Sequence, residues 1–302
     1  MNFANSIFKF IDIEDQYNLN NLKNNEVLCK FFNSFNDPYE GHFGIETKWP
    51  SAYKDFKKLK DLITRLDPEN AAVNAASVSS MKAYIKLNAH MTELAHSITY
   101  KTTETYRVCS FTRRWNHILM WSHYSKGGSG AVLIFDKDLI VDGDDFHEID
   151  STIDLTASKP VLDWVKYKHD VPIINSVDMF EAYVTKSDAL IEKMNMELFN
   201  KCILTKSSIW RYEQETRLVF KLHDSIGQNP VMYKYPNSAI KGVIVGNRCS
   251  DEGYIGLAES LDDDVNIYLA EQQKSRYKYS ISGIYAARDI KSGKVSIKKE
   301  LR

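Results

Sequence analysis

Two glutamates, Glu213 and Glu215, stand two residues apart just before an apolar run in the second half of the chain. If residues 210–220 form a strand, alternate side chains point the same way, and the two glutamates share a face with Arg211 and Arg217. Neighbouring guanidinium groups favour the ionised form of a carboxylate, which can then be directed at a ligand. The same spacing also suits a solvent-exposed strand face with alternating charges, or a helix with Arg211–Glu215 and Glu213–Arg217 pairs.

The elements that must position these glutamates are predicted from apolar patterns. Apolar and alternating runs indicate strands at 7–11, 26–32, 106–111, 131–135, 240–246, 265–270 and 277–285. Apolar residues recurring every three or four positions predict a helical insertion at roughly 50–100. With no internal repeat and no linker, we predict one α+β domain over residues 1–302, with mixed, mainly antiparallel sheets.

Composition and charge narrow the class of protein. The chain has 302 residues, a hydrophobic share of 43% and a formal net charge of −1. No overall field therefore attracts nucleic acid or anionic lipid, although a local basic patch can still bind nucleic acid. No segment reaches the roughly 20 apolar residues of a membrane span, and no secretory signal is evident at the N-terminus. We expect a cytoplasmic protein without a membrane partner.

Cysteine usage bears on metal and redox chemistry. The four cysteines are scattered, without a CxxC pair: Cys29, Cys109, Cys202 and Cys249. This spacing argues against a zinc site made from cysteines alone, and we predict no bound metal. Free and mostly buried thiols are the expectation for a reducing compartment.

Several short motifs occur in a fixed order along the chain. They are Phe8-Lys9-Phe10, the FNDPYE run at 35–40, the CSF run at 109–111, the WSHY run at 121–124, the YEQETR run at 212–217 and the IVG run at 244–246. In this combination the chain resembles the DUF2971 family from residue 7 to about residue 248. That family consists of bacterial and phage-associated proteins without an assigned function, so the resemblance is compatible with a role in toxin or phage-defence biology.

The order of the predicted elements also resembles the layout of ADP-ribosyltransferases. The resemblance implies that NAD, as substrate, lies in a central cleft between two small sheets and that Glu215 is the catalytic carboxylate. Cleavage of the glycosidic bond develops positive charge on the ribose, which an ionised carboxylate stabilises. Glu213 is then expected to orient or deprotonate the acceptor, a macromolecule that the sequence does not identify.

The same resemblance assigns roles to other motif residues around a nucleotide-like small molecule. Trp121 and Tyr124 are expected to stack on or wall the nicotinamide. Apart from this resemblance, His123 is a candidate acid or base because its free pKa lies near ~6.5, and a hydrogen-bonded core residue is the alternative for it. The further residues expected to bind NAD are Lys9, Asn36, Asp37, Glu40, Ser110, Lys206 and Arg217. Among these, Lys206 and Arg217 are expected to meet phosphate or to pair with the glutamates.

Two other functions remain open at this stage. In a metal-dependent nuclease, clustered acids would gather Mg²⁺ beside Lys206 or Lys221. The acids in question are Asp37, Glu40, Glu213 and Glu215. In a non-enzymatic ligand-sensing module, the aromatic residues would line a pocket and the acids would be ion-paired.

Overall fold

The structure is a computed structural model that describes residues 3–48, 81–149, 154–223 and 226–295. The described residues fall into two compact units. The first unit is drawn from Met1–Ser34, Tyr106–Val165 and Ser208–Arg302, and the second from Phe35–Thr105 and Lys166–Ser207. Each unit is therefore assembled from segments that are distant in sequence. The prediction of one domain over residues 1–302 stays a prediction.

The described part of the chain contains strands, α-helices and short helices of other types. In chain order the strands are β1 (Ser6–Ile11), β2 (Glu26–Cys29), β3 (Gly44–Glu46), β4 (Tyr106–Thr112), β5 (Ala131–Asp136), β6 (Asp145–Glu148), β7 (Val161–Trp164), β8 (Lys166–Lys168), β9 (Ile173–Asn175), β10 (Thr205–Ser207), β11 (Glu215–Lys221), β12 (Val231–Lys234), β13 (Ile240–Val245), β14 (Asn266–Gln272) and β15 (Tyr279–Ala286). The α-helices are α1 (Gln16–Lys23), α2 (Met81–Glu104), α3 (Ile118–Tyr124), α4 (Ser176–Thr185), α5 (Asp188–Leu198), α6 (Asp251–Glu259) and α7 (Ala287–Lys291). Short 3₁₀ helices lie at Phe32–Ser34, Lys126–Gly128, Leu139–Val141, Ser208–Glu213 and Asn237–Ala239, and a π-helix lies at Phe199–Ile203.

The main layer of the first unit is a sheet with eight strands among the described residues, in the order β15-β14-β13-β5-β1-β4-β11-β7. Its neighbouring strands are antiparallel, except that β13 and β14 run parallel. A second antiparallel sheet, β2-β12-β6, belongs to the same unit. The central strand β5 is apolar and buried from Ala131 to Phe135, as expected for a strand that is covered on both faces.

Side chains of the main sheet alternate between two covered faces. Ile7 and Leu218 point into the larger apolar cluster, and we call their side of the sheet the core face. Phe8 and Ile244 point into a second cluster that contains Trp121, and we call that side the tryptophan face. Because alternation fixes the direction of each residue, the face of every polar side chain on β4 and β11 follows from its position.

The second unit is built around helices. α2, α4 and the π-helix contribute buried side chains to a small apolar cluster that includes Ala95, Met179 and Cys202. The amide oxygen of Asn175 accepts a hydrogen bond from the backbone nitrogen of Val177 at 3.2 Å, which caps the start of α4. Two short parallel pairs, β3 with β9 and β8 with β10, complete the described part of this unit.

Several predictions can be compared directly with these elements. The predicted fold class, α+β with mixed, mainly antiparallel sheets, is confirmed, whereas the central cleft stays a prediction. Of the helical insertion predicted at 50–100, residues 81–100 lie in α2, and residues 49–80 lie outside the described residues. No helix in the described part of the chain has both the length and the apolar character that a membrane crossing requires.

The first of the alternatives left open for residues 210–220, one continuous strand, does not form. Ser208–Glu213 forms a 3₁₀ helix, and β11 begins only at Glu215. Between them Gln214 has a φ of 45°, in the left-handed region that an extended strand does not enter. As a consequence only Glu215 and Arg217 share a strand face, while Glu213 belongs to the preceding turn.

Candidate functional site

Glu215 stands at the first position of β11, on the tryptophan face of the main sheet. Leu218 and Phe220 point into the core face, so Glu215 and Arg217 point the opposite way. Register pairs Arg217 with Ser110 of the neighbouring strand β4, which places Ser110 on the same face. Three polar side chains from two adjacent strands therefore meet at one place.

The contacts of Glu215 hold its carboxylate from two directions. Ser110 Oγ donates a hydrogen bond to Glu215 Oε1 at 2.6 Å, and Arg217 Nε donates to the same oxygen at 2.8 Å. Arg217 Nη2 donates to Glu215 Oε2 at 3.2 Å, which makes the guanidinium contact bidentate. Glu215 is 3% exposed and Arg217 is fully buried. The ion pair and the serine hydroxyl together favour the ionised carboxylate in this buried position.

Glu213 is held separately, by α3 and by the end of β4. Tyr124 of α3 donates its hydroxyl to Glu213 Oε1 at 2.5 Å. The backbone oxygen of Glu213 accepts a hydrogen bond from Thr112 Oγ1, also at 2.5 Å. Glu213 is 4% exposed, so both glutamates are almost completely covered. Thr112 is also the residue that β11 aligns with Glu215.

The two other candidates from the WSHY run lie in different surroundings. Trp121 is buried, its indole nitrogen donates to the backbone oxygen of Trp115 at 2.7 Å, and its ring lies 4.9 Å from that of Tyr279. Trp121 therefore lies inside the apolar cluster of the tryptophan face and does not line an open cleft. His123 is exposed, with its ring 6.1 Å from that of Tyr212 and 6.3 Å from that of Tyr124.

Lys9 lies on the core face, opposite to the face that carries Glu215. Its neighbour Phe8 points into the tryptophan face, and Lys9 Nζ lies 5.4 Å from the ring centre of Phe111 in the core. Lys9 Nζ donates to Cys109 Sγ at 3.2 Å and to the backbone oxygen of Ser110 at 3.2 Å. The structure does not bring the Lys9 side chain onto the face where Glu215 and Arg217 meet.

The contact with Lys9 changes the chemistry of a buried thiol. Burial alone would raise the pKa of Cys109, but the hydrogen bond from Cys29 and the nearby Lys9 ammonium outweigh it and lower that pKa to about 6. Burial raises the pKa of Cys29 well above its usual range, and its hydrogen bond with Cys109 adds to this effect. The pair thus favours one thiolate, on Cys109, facing the ammonium group of Lys9.

The remaining candidates belong to the second unit. Asn36 is exposed, whereas Asp37 is buried and its Oδ1 accepts from the backbone nitrogen of Tyr39 at 2.9 Å. Glu40 and Lys206 form a buried ion pair with a separation of 3.7 Å between Nζ and Oε2. Lys206 is therefore used within its own unit to neutralise Glu40.

Metal binding by these acids can be considered unit by unit. Asp37 and Glu40 belong to the second unit, and Glu213 and Glu215 to the first. In the part of the chain that the structure describes, no three side chains of His, Cys, Asp or Glu are grouped so that they could hold a metal ion. Lys221, expected beside the metal in a nuclease, is the last residue of β11.

A cleft that the motifs did not predict lies beyond the end of β4. It has a volume of about 470 Å³ and is lined by residues that include Arg113, Arg114, His117 and Lys278. Burial, and then the charge of Arg114, lower the pKa of His117 below its usual value. In the sequence, the run from Arg113 to His117 is the part that could have indicated this cleft, and such a run is equally typical of a polar turn. Lys278 is too distant in sequence to have been associated with it.

Comparison with known proteins gives one match. Residues 120–218 match the model of a family described as "Protein of unknown function (DUF2971)". The predicted resemblance to this family is thus confirmed over part of the expected stretch of 7–248, and the match includes Tyr124, Glu213 and Glu215. No curated protein and no solved structure matches the chain. The resemblance to ADP-ribosyltransferases stays a prediction.

Proposed function

We propose that the first unit cleaves the bond between nicotinamide and ribose in NAD, as an ADP-ribosyltransferase or an NAD glycohydrolase, with Glu215 as the catalytic carboxylate. The observation that supports this most is the 2.6 Å hydrogen bond from Ser110 to Glu215, made while Arg217 holds the same carboxylate. A negative group that is already oriented and ionised can stabilise developing positive charge without reorganising during the reaction.

The proposed reaction begins with the break of the bond between ribose C1′ and the nicotinamide nitrogen. The bonding electron pair leaves with nicotinamide, which becomes neutral, and the positive charge of the pyridinium passes to the ribose as an oxocarbenium ion. Glu215 stabilises that ion. Water or an acceptor group then forms a bond to C1′ and gives up a proton, for which Glu213 is the proposed base.

The neighbours of the two glutamates have positioning roles in this proposal. Arg217 pairs with Glu215, so it keeps the carboxylate ionised and does not bind a phosphate group. Ser110 fixes the direction of the carboxylate, and Tyr124 fixes that of Glu213 through its hydroxyl. Because Ser110 acts through Glu215, its loss is expected to reduce the rate of cleavage without removing the reactive group.

A second candidate function is a ligand-sensing module of a defence or toxin system that does not turn its ligand over. The specific observation in its favour is the burial of both glutamates, with exposed fractions of 4% for Glu213 and 3% for Glu215. A substrate reaches them only if the side chains that cover them move. A purely structural ion-pair network also contains buried carboxylates whose oxygens are bonded to other groups of the fold.

The proposal is tested by measuring nicotinamide release from NAD by the purified chain in the presence of EDTA. We expect release by the wild type and its loss in Glu215→Gln. The matched control is Glu259→Gln, which neutralises an exposed glutamate at the end of α6 and is expected to leave the rate unchanged. Thermal unfolding of each variant shows which proteins are folded, and Ser110→Ala is expected to lower the rate in a protein that keeps Glu215 and Arg217.

The outcomes separate the two candidates. Equal rates in the wild type and a folded Glu215→Gln variant contradict the catalytic role of Glu215. Absence of release by the wild type, even with cell lysate as a source of acceptors, contradicts NAD cleavage altogether. Thermal stabilisation by NAD without turnover supports the sensing module instead, since a ligand stabilises the state to which it binds. Release that EDTA abolishes points to metal chemistry.

A further inference from the structure

The cleft beyond β4 has a lining that is cationic and aromatic. Its volume is about 470 Å³, within the range of about 300–1,000 Å³ that small-molecule sites occupy. Its lining includes Arg113, Arg114, Trp115, His117, Tyr277 and Lys278. No carboxylate is among the described residues that line it. All of these residues belong to the first unit, and none of them was assigned a role above.

Two of the cations in this cleft have no side-chain partner among the residues that the structure describes. Arg114 is exposed and Lys278 is half-buried, and neither side chain forms a hydrogen bond or an ion pair with another described residue. Arg113 differs, because its Nε donates to the backbone oxygen of Gln214 at 3.3 Å and its guanidinium lies 4.6 Å from the ring centre of Trp164. Arg114 and Lys278 are thus the cations available to a ligand.

The walls of the cleft add an unsatisfied polar atom and exposed aromatic surface. The Nδ1 atom of His117 is buried and has no hydrogen-bond partner among the described residues. A buried polar atom without a partner costs free energy in the folded chain. Tyr277 is 95% exposed, which leaves its ring free to stack on a planar group, and Trp115 is half-buried at the same cleft.

We infer that this cleft binds a small phosphorylated ligand with a planar ring, of the nucleoside diphosphate class. Arg114 and Lys278 meet the phosphate groups, because charged donors without a carboxylate nearby suit an anion. Tyr277 and Trp115 provide the stacking surface for the ring. Proteins that bind long nucleic acids usually carry a basic surface, whereas this chain has a net charge of −1. A small ligand is therefore favoured over a long nucleic acid. This inference goes beyond NAD cleavage and does not depend on Glu215.

The test is calorimetric titration of the full chain with ADP, and separately with inorganic pyrophosphate, at constant salt. Arg114→Gln and Lys278→Gln are each expected to weaken the binding of both by about tenfold, the usual effect of losing one charged hydrogen bond. The matched controls are Arg276→Gln and Lys274→Gln. They remove the same charges from exposed residues that do not line this cleft, and they are expected to leave both affinities unchanged.

A third variant separates recognition of the ring from recognition of the phosphates. Tyr277→Ala is expected to weaken ADP binding and to leave pyrophosphate binding unchanged, since only ADP has a ring to stack. The side chain is 95% exposed, so this substitution does not disturb the folded core. Equal loss of both ligands, or of neither, overturns the stacking role of Tyr277.

Other outcomes overturn the inference as a whole. Absence of binding heat with both ADP and pyrophosphate at two different temperatures for the folded wild type overturns a phosphate site at this cleft. Equal weakening by the control variants shows that the binding is general electrostatic attraction and not a site. Binding of a single-stranded oligonucleotide without binding of ADP assigns the surface to nucleic acid. Failure of NAD cleavage by Glu215→Gln changes none of these readouts, so the two proposals are judged separately.

Discussion

The first unit holds charged side chains in two regions that differ in how completely the fold uses them. Around Glu215 every charge is met at short distance, by Arg217, by Ser110 and, for Glu213, by Tyr124. In the cleft beyond β4, Arg114 and Lys278 face no described carboxylate. We call the first region the carboxylate cluster and the second the cationic cleft.

The difference shows what each region can contribute. A buried ion pair costs desolvation, so removal of one partner leaves the other charge uncompensated in the interior. The carboxylate cluster is therefore both a candidate site and a structural support, and variants there must be tested for folding as well as activity. The cationic cleft holds charges whose loss changes binding without changing the fold.

The largest predicted effect on stability is found by making the same type of substitution, Arg to Gln, once in each region and comparing the two variants. Arg217→Gln is expected to lower the free energy of unfolding by about 3–5 kcal/mol, because Glu215 remains buried without its counter-charge. Arg114→Gln is expected to change it by no more than about 0.5 kcal/mol, as is usual for exposed residues. Urea unfolding of both variants measures the contrast, and equal losses contradict it.

The next largest effect on stability is expected from removing one tyrosine hydroxyl in each of the two regions. Tyr124→Phe is expected to cost about 1–3 kcal/mol, because Glu213 loses a hydrogen bond in a buried position. Tyr277→Phe removes the same hydroxyl from a side chain that is 95% exposed and is expected to have no measurable cost. Urea unfolding is again the measurement. Similar stability of the two variants would show that the Tyr124 contact contributes nothing.

Lys9, on the core face, is a further cation of the first unit, and its ammonium group donates hydrogen bonds within the fold. The folded pKa of Cys109, about 6, lies below the ordinary thiol value of 9.0. The contribution of the thiolate to stability is therefore complete above pH 9.0, decreases below it and is lost as pH falls through about 6. Burial raises the pKa of Cys29, so that thiol adds no thiolate in this window.

The measurement for Cys109 is the ultraviolet absorbance of its thiolate during a pH titration. We expect a transition near pH 6 in the wild type, its absence in Cys109→Ser and a shift to higher pH in Lys9→Gln. The control is Cys249→Ser, which is expected to keep the transition, because burial raises the pKa of Cys249 to about 12. A transition that survives in Cys109→Ser contradicts this assignment.

The smallest predicted effect is a difference in salt dependence. Ions in solution screen exposed charges strongly and buried pairs weakly. ADP affinity for the cationic cleft is therefore expected to fall as salt is added. The loss of stability caused by Arg217→Gln is expected to change little over the same range. Salt-independent ADP binding would show that Arg114 and Lys278 do not carry it.

The sequence predicted the members of the carboxylate cluster better than their arrangement. Period-two alternation placed Glu215 and Arg217 on one face, and the CSF run supplied Ser110 from a neighbouring strand. A continuous strand through Glu213, one of the alternatives for this stretch, does not form, because the positive φ of Gln214 ends the extended pattern. Glutamine carries no strong local signal for that conformation, unlike glycine or asparagine.

Tertiary placement accounts for what else the sequence did not predict. Lys9 was predicted among the NAD-binding residues, and strand alternation puts its side chain on the core face with Cys109, opposite to the face of Glu215. The cationic cleft joins the turn after β4 to Lys278, a residue from the other end of the chain. Such a site forms only when distant segments pair in the folded chain, so the periodicity of one segment cannot predict it.

The most direct test of the central claim is a crystal structure of the Glu215→Gln variant grown with NAD. This near-isosteric change removes the charge but keeps the shape of the side chain. We predict that the nicotinamide ribose of intact NAD lies within hydrogen-bond distance, about 2.6–3.2 Å, of the side chain at position 215. NAD bound only in the cationic cleft, with its nicotinamide ribose away from position 215, would contradict the catalytic role and leave a binding protein.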